Sequence, residues 1–358
     1  MKTWKLRTNV QNAAIAGDVM NAPTVISLFA GCGGSSLGYH MAGYNELLAI
    51  DFDDNAIQTF KLNFKDVPML KADISQVSGA KIMKLCKLQA GELDLLDGSP
   101  PCQGFSTAGK RQVCDDRNDL VNHYIRLIHE IQPKVFVMEN VSGMIKGKMK
   151  GLFIEYIKAM KDAGYQVSCR LLNAKWFSVP QSRQRMICIG VRNDLKMQPV
   201  FPKAHDRLIT VGEALKDVVN KTHAPFNKDY EIVFSQIPQG STAIKSCSKT
   251  TLQKYIPRMI KNKTFNFQGM CKRLNPKKPS PAIIKNFIPY AEAPIHPTEN
   301  RYLSIEEVKR LQSFPDDFKF IGKFEQQWAR IGNSVPPLMT KAIAETIRIE
   351  ILAKIQQP

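Results

Sequence analysis

The chain has 358 residues, 44% hydrophobic and 23% charged, which are ordinary values for a folded soluble protein and argue against disorder. Its formal charge is +18, and residues 191–280 hold 17 basic and 6 acidic side chains, so +11 of the excess sits in a quarter of the chain and points to a polyanion, nucleic acid first. No apolar run suits a membrane span or a secretory signal, and no Cys or His pair has zinc-ligand spacing; the expectation is a cytoplasmic, metal-free protein, off the membrane, with its eight cysteines as reduced thiols.

Residues 1–22 are polar and read as an N-terminal extension. Thr24–Phe29 has the apolar character of a short strand, and Gly31, Gly33, Gly34 and Gly38 follow it. Strand, glycine turn and helix open an α/β nucleotide-type unit. Glu46–Ile50, Leu93–Leu96, Val135–Met138 and Met186–Val191 read as further strands. Leu120–Ile131 is amphipathic and stops before Pro133, as a helix should. Leu152, Phe153, Tyr156, Ile157 and Met160 recur at helical spacing, with Gly164 placed to end the helix.

Beyond residue 191 the pattern becomes irregular and basic. Thr210 and Glu213 have capping-box spacing there, as do Ser304 and Glu307 further on, and Pro336-Pro337 suits the first turn of a last helix. Alternating strands and helices predict a doubly wound, mostly parallel sheet, an α/β fold with a smaller irregular domain. The boundaries expected are a catalytic and cofactor-binding domain over 23–190, an irregular lobe over 191–272, and a C-terminal segment over 273–358 that returns to the first domain.

Four places could carry chemistry. Phe29-Ala30-Gly31-Cys32-Gly33-Gly34 lies at a strand-to-helix turn, where glycine lets a ligand approach the backbone. Asp51 ends the next strand 20 residues after Gly31, the place from which a carboxylate reaches ribose hydroxyls. Ser36 stands where a dinucleotide fingerprint wants Gly or Ala, so the signal favours an adenosine-containing cofactor over nicotinamide, and an oxidoreductase is the weaker alternative. Cys102, in Asp97-Gly-Ser-Pro-Pro-Cys102-Gln-Gly, sits among turn formers at a strand end, a setting for a nucleophile rather than a core thiol. Glu139 follows an apolar strand, where desolvation makes a carboxyl a usable proton donor. Gln181, Arg183 and Arg185 alternate, which puts three long donors on one face of an extended segment.

Taken in order over residues 24–346, these segments resemble the cytosine-C5 DNA methyltransferase family of bacterial restriction-modification type. The glycine turn is similar to its S-adenosylmethionine loop, Asp51 and Asp73 to its ribose and adenine acids, and Pro100-Pro-Cys102-Gln to its nucleophile segment. Glu139-Asn-Val141, Gln181-x-Arg183-x-Arg185, Arg117-Asn-Asp-Leu120, Arg273 to Pro281, Leu311–Asp316 and Gly332-Asn-Ser-Val-Pro-Pro337 match further segments. Three details depart from the family's usual wording: Asp51 replaces Glu, Gly98-Ser99 replaces Gly-Gly, and Ala282 stands where Thr is common.

The resemblance implies a class I, Rossmann-like methyltransferase that flips a cytosine out of double-stranded DNA and methylates C5 through a covalent adduct. Cys102, Glu139, Arg183 and Arg185 would be catalytic. Phe29 to Gly34, Asp51, Phe52, Asp73, Ile74, Leu120, Asn333 and Ser334 would hold S-adenosylmethionine. Residues 191–272 would be the target recognition domain of a monomer linked in function to a cognate restriction endonuclease. A tRNA cytosine methyltransferase shares the scaffold, but the Cys-Phe-Thr segment of that branch has no counterpart around Cys247 or Cys271.

Overall fold

The computed structural model describes residues 22–101, 119–145, 149–224, 228–255, 271–289 and 293–355. The chain divides into two compact units. Within the described residues the first unit takes 22–173, 184–204 and 335–355, and the second takes 174–183 and 205–334.

The first unit is built on a seven-stranded sheet. Its strands are β1 (Thr24–Leu28), β2 (Asn45–Asp51), β3 (Met69–Lys71), β4 (Leu95–Gly98), β5 (Val135–Val141), β6 (Tyr165–Asn173) and β8 (Gln184–Arg192). The order is β3-β2-β1-β4-β5-β8-β6; β1 to β5 pair in parallel, and β8 runs antiparallel to both β5 and β6. The helices between strands are α1 (Gly34–Met41), α2 (Asp54–Asn63), α3 (Gly79–Cys86), α4 (Asp119–Ile131) and α5 (Met149–Asp162).

Two neighbouring residues of β4 show how the layers sit. Asp97 accepts a hydrogen bond from Tyr39 of α1, whereas a Cβ on Gly98 would enter the Tyr124 ring of α4. Successive strand residues point to opposite faces, so α1 and α4 cover opposite sides of the sheet. The core between these layers is Ile26, Leu28, Ile50, Leu96, Phe136 and Met138 from the strands, packed by Tyr124, Leu127, Ile128 and Ile131. The C-terminal helix, Pro337–Ile347, packs on α1, where Gly38 lets the two backbones close up. Gly164 ends α5 at φ +96°, as its sequence position predicts.

Two expectations are corrected here. Glu139 does not follow the strand Val135–Met138; β5 runs on to Val141, and Glu139 pairs opposite Ile187. Cys169 of β6 and Cys188 of β8 are opposite one another and joined in a disulfide, not held as separate thiols, because the antiparallel register brings their side chains to the same face.

The second unit is mostly irregular. It holds a two-stranded ladder of β7 (Gln181–Ser182) with β9 (Ser280–Pro281) and short helices, including α6 (Val211–Leu215), α7 (Lys228–Ser235), α8 (Ala243–Ser246), α9 (Lys249–Tyr255), α10 (Ile305–Leu311) and α11 (Phe324–Asn333). The capping boxes read at Thr210/Glu213 and Ser304/Glu307 both form, starting α6 and α10. Residues 273–334 therefore pack with 205–255 in one body. Its cores gather Leu274, Val308, Leu311, Trp328 and Ile331 on one side and Val233, Phe234, Ile295 and Tyr302 on the other.

Candidate active site

At the C-terminal end of β1 the chain turns through Phe29, Gly31 and Gly33, all with left-handed φ of +56°, +59° and +92°. A Cβ on Gly33 would run into the Phe64 ring, whereas a Cβ on Gly31 would meet open space, so the turn is closed on the helix side and open at Gly31. Ala30 and Cys32 are buried and Gly34 starts α1. Asp51, at the end of β2, accepts the Gly31 amide at 2.8 Å on one carboxylate oxygen, and those of Phe52 at 2.8 Å and Asp53 at 2.9 Å on the other. Burial raises its proton affinity and the three amides oppose that rise. A lone pair remains for a further donor on the oxygen that accepts Gly31.

The rest of this rim is polar or open. Phe52 exposes 67% of its surface, which isolates a large ring beside Asp51. Asp73 is exposed and caps the next turn by accepting Ser75 N at 2.9 Å, Ile74 is buried behind it, and Leu120 is half-buried in the first turn of α4. An exposed ring, two strand-end acids and an open glycine turn fit an adenosine moiety, whose hydroxyls and amino group are donors.

Cys102 lies outside the described residues. Its approach, Gly98-Ser99-Pro100-Pro101, is described: the carbonyl of Pro100 accepts Asn140 Nδ2 at 3.1 Å, and Asn140 is buried in β5. Glu139, one residue earlier, pairs with Arg185 of β8 at 2.6 Å, both side chains largely buried. The register explains this pair. Val141 lies opposite Arg185, and Glu139, two residues before Val141, shares its face. The sequence offered Asn140 no role of its own; a buried amide that fastens a proline carbonyl is a tertiary contact without a local signal.

The alternation Gln181-x-Arg183-x-Arg185 does not place three donors on one face. Arg183 N donates to Gln181 O, a tight turn that breaks the extended run between β7 and β8. Gln181 and Arg183 belong to the second unit and are buried there. Arg183 donates to the carbonyls of Ile283 and Gly332, each at 2.8 Å, and Gln181 bonds Gln312, Leu311 O and Ile283 N. Arg185 stays with Glu139 in the first unit. Asn333 and Ser334 end α11; Asn333 is exposed, while the Ser334 carbonyl accepts Gln312 Nε2 at 2.6 Å.

Arg273 is the internal brace of the second unit. Its five N–H donors go to the carbonyls of Phe234, Ile237, His296 and Glu299 and to Asn300 Oδ1, over 2.6–2.8 Å. Nearby, a cavity of about 430 Å³ is lined by Lys272, Asn275, Lys278 and Ser280, among others. Among the described residues no three His, Cys, Asp or Glu side chains are grouped to hold a metal, and no helix is long and apolar enough to cross a membrane.

Residues 23–348 match the model of the C-5 cytosine-specific DNA methylase family. The chain is similar to the type II methyltransferase M.XorII of Xanthomonas oryzae pv. oryzae, with 30% identity over 95% of this chain and 88% of the relative. It is also similar to the type II methyltransferase M1.HphI of Haemophilus parahaemolyticus, with 33% identity over 90% of this chain and 86% of the relative. Among solved structures, a DNA modification methyltransferase encoded within an Escherichia coli prophage superposes with a TM-score of 0.70 at 27% identity, covering 93% of this chain and all of that one.

Proposed function

The chain belongs to the C-5 cytosine-specific DNA methylase family, and from that premise we propose that it methylates C5 of one cytosine in a short site of double-stranded DNA. S-adenosylmethionine is the donor, and the enzyme acts as a cytoplasmic monomer that protects DNA from a cognate restriction endonuclease. The observation that carries the assignment of roles is the Glu139–Arg185 pair at 2.6 Å, one residue from the Asn140 that fastens the approach to Cys102.

In this reading Asp51 takes the ribose hydroxyls, Asp73 the adenine amino group, and Phe52, Ile74, Leu120 and the turn Phe29 to Gly34 enclose the remainder. Asn333 and Ser334 enter through the resemblance alone. When bound, S-adenosylmethionine supplies an electrophilic methyl group. The target base must first leave the duplex stack, at a cost of a few kcal/mol.

The Cys102 thiolate adds to C6, forming the S–C6 bond, while Glu139 delivers a proton to N3 so that the ring becomes an enamine nucleophilic at C5. Arg185 holds Glu139 and the base oxygen at C2. Arg183 gives its outer N–H groups to main-chain carbonyls, so the oxygen-holding role is assigned to Arg185. Once C5 carries the methyl group, a base removes the C5 proton, the S–C6 bond breaks and the N3 proton returns to Glu139, which restores the ring and frees Cys102. The base is left unassigned.

The test is bisulfite sequencing of DNA exposed to the enzyme, which reads the methylated site, followed by a duplex with 5-fluorocytosine at that position. Fluorine cannot leave as a proton, so a denaturation-resistant adduct is expected, and Cys102→Ala should form none while still binding cofactor. A methylation-competent enzyme that gives no adduct would overturn the covalent route.

A further inference from the structure

The helix that follows the glycine turn has little reason to form by itself. α1 is Gly34-Ser-Ser-Leu-Gly-Tyr-His-Met, eight residues with two glycines and two serines, and no side chain caps it at Gly33. Such a segment is too short and too poor in helix formers to hold its own shape. Its polar side chains instead reach two carboxyls in the sheet. Ser36 Oγ donates to Glu46 Oε1 at 2.8 Å, and Nε2 of His40, one turn on, lies 3.0 Å from Glu46 Oε2. Tyr39 Oη donates to Asp97 Oδ1 at 2.9 Å, and the Ser35 hydroxyl, one turn earlier, bonds the same carboxyl. Each acid is thus met by an i, i+4 pair, and the two pairs form adjacent stripes on one helix.

The two acids stand on either side of β1. Glu46 belongs to β2 and Asp97 to β4, the strands that flank β1 in the sheet. They are 4% and 3% exposed, and Ser36 and Tyr39 are fully buried, so no solvent stands ready to replace these bonds. A helix tied to both neighbours of the strand that feeds it is held against rolling about its own axis. β2 also grips this part of the chain twice, with Asp51 on the Gly31 amide and Glu46 on Ser36. Between those grips lies the turn Gly31 to Gly34, and glycine imposes little conformation of its own. The shape of the turn is therefore set by what holds its two ends.

Resting on the function proposed above, we propose that Glu46 and Asp97 are positioning residues for S-adenosylmethionine: through Ser36 and His40 on one side and Ser35 and Tyr39 on the other, they fix the roll of α1 and hold the glycine turn in the form that accepts the cofactor. Both acids act through the helix rather than on the cofactor. Loosening the clamp lets α1 roll, the turn spends part of its time in forms that do not bind, and apparent affinity falls in proportion. The effect is confined to the cofactor, because all six side chains belong to the first unit and the basic block that meets DNA lies mostly in the second.

Ser36→Ala combined with Tyr39→Phe removes one donor from each pair and leaves the shape of the helix face nearly unchanged. By titration calorimetry the double variant should bind S-adenosylmethionine about tenfold more weakly than wild type, the size of an ordinary coupling between two sites. In steady-state methylation the KM for cofactor should rise by the same factor while the KM for DNA stays put. Tyr165→Phe is the control for lost stability alone. It removes the bond from Tyr165 Oη to the Pro133 carbonyl, 2.7 Å and also buried, on the edge strand β6, four places along the sheet from β1. Y165F should melt below wild type and bind the cofactor as wild type does.

A double variant that melts lower but binds the cofactor like wild type would overturn the proposal, since the clamp would then serve stability only. So would a Y165F that loses as much affinity, because the loss would then reflect general loosening. Should the double variant fail to fold, S36A and Y39F singly should each lose about threefold, their additive share, and two single variants with native affinity would overturn the clamp equally. Wild type that binds no S-adenosylmethionine sinks this proposal together with the functional reading beneath it, whereas native binding in the variants sinks this proposal alone.

Discussion

Glu139 and Arg185 form the contact on which the proposed chemistry turns, and a single substitution tests the role of Glu139. Glu139→Gln keeps size and a weak donor but cannot deliver a full proton. General acid catalysis contributes about 10²–10⁴-fold, so single-turnover methylation at saturating cofactor should fall by at least about a hundredfold while DNA and cofactor affinities change much less. A loss below about tenfold would make Glu139 a positioning residue. At this scale the sequence showed which side chains were unusual but not what each one meets. Gln181, Arg183 and Arg185 have one local pattern and two fates, because a turn at Arg183 sends two of them into the second unit and leaves the third on β8. Asp97 read only as the end of a strand. Its burial and the hydroxyls aimed at it come from a helix some 60 positions earlier in the chain.

The elements that were legible are those whose pattern is local. The apolar strands β1, β2, β4, β5 and β8, the amphipathic α4 and the two capping boxes each carry their signal in adjacent residues, and all form. The edge strand β6 went unread because its middle, Val167 to Leu172, is only partly buried or exposed, so no apolar run marks it; its partner β8 supplies the ladder. Gly38 shows an element's fit set by another element. Alanine in mid-helix gains roughly 0.5–1 kcal/mol of helix stability over glycine. Here its Cβ would lie 2.5 Å from Thr340 Cβ and 2.6 Å from the Pro337 carbonyl, on the C-terminal helix. Overpacking against backbone costs about 1–3 kcal/mol, so the clash wins and Gly38→Ala should lower the denaturant midpoint without changing the slope. A raised midpoint would show that the C-terminal helix shifts freely.

For the molecule as a whole the charge excess makes a prediction about DNA. Affinity should fall with salt on a log–log slope of about −0.9 per phosphate contacted. Lys272 and Lys278 line the cavity of the second unit and are exposed, so Lys272→Gln with Lys278→Gln should flatten the slope by up to about 1.8. The same change at Lys61 and Lys65, exposed beside α2 in the first unit, should leave it unaltered; a larger effect there would move the DNA-binding face. The family, the parallel sheet, the glycine turn with Asp51 and the basic block were all determined by sequence, because each depends on short-range pattern or on sums over composition. Tertiary structure alone decided that Glu139 meets Arg185, that Cys169 meets Cys188, that Arg273 spends all five donors inside the second unit, and that Asp97 is enclosed among acids and hydroxyls. Each of these pairings brings together residues far apart in the chain, and sheet register, helix packing and exclusion of water set them, none of which is written in the residues on either side.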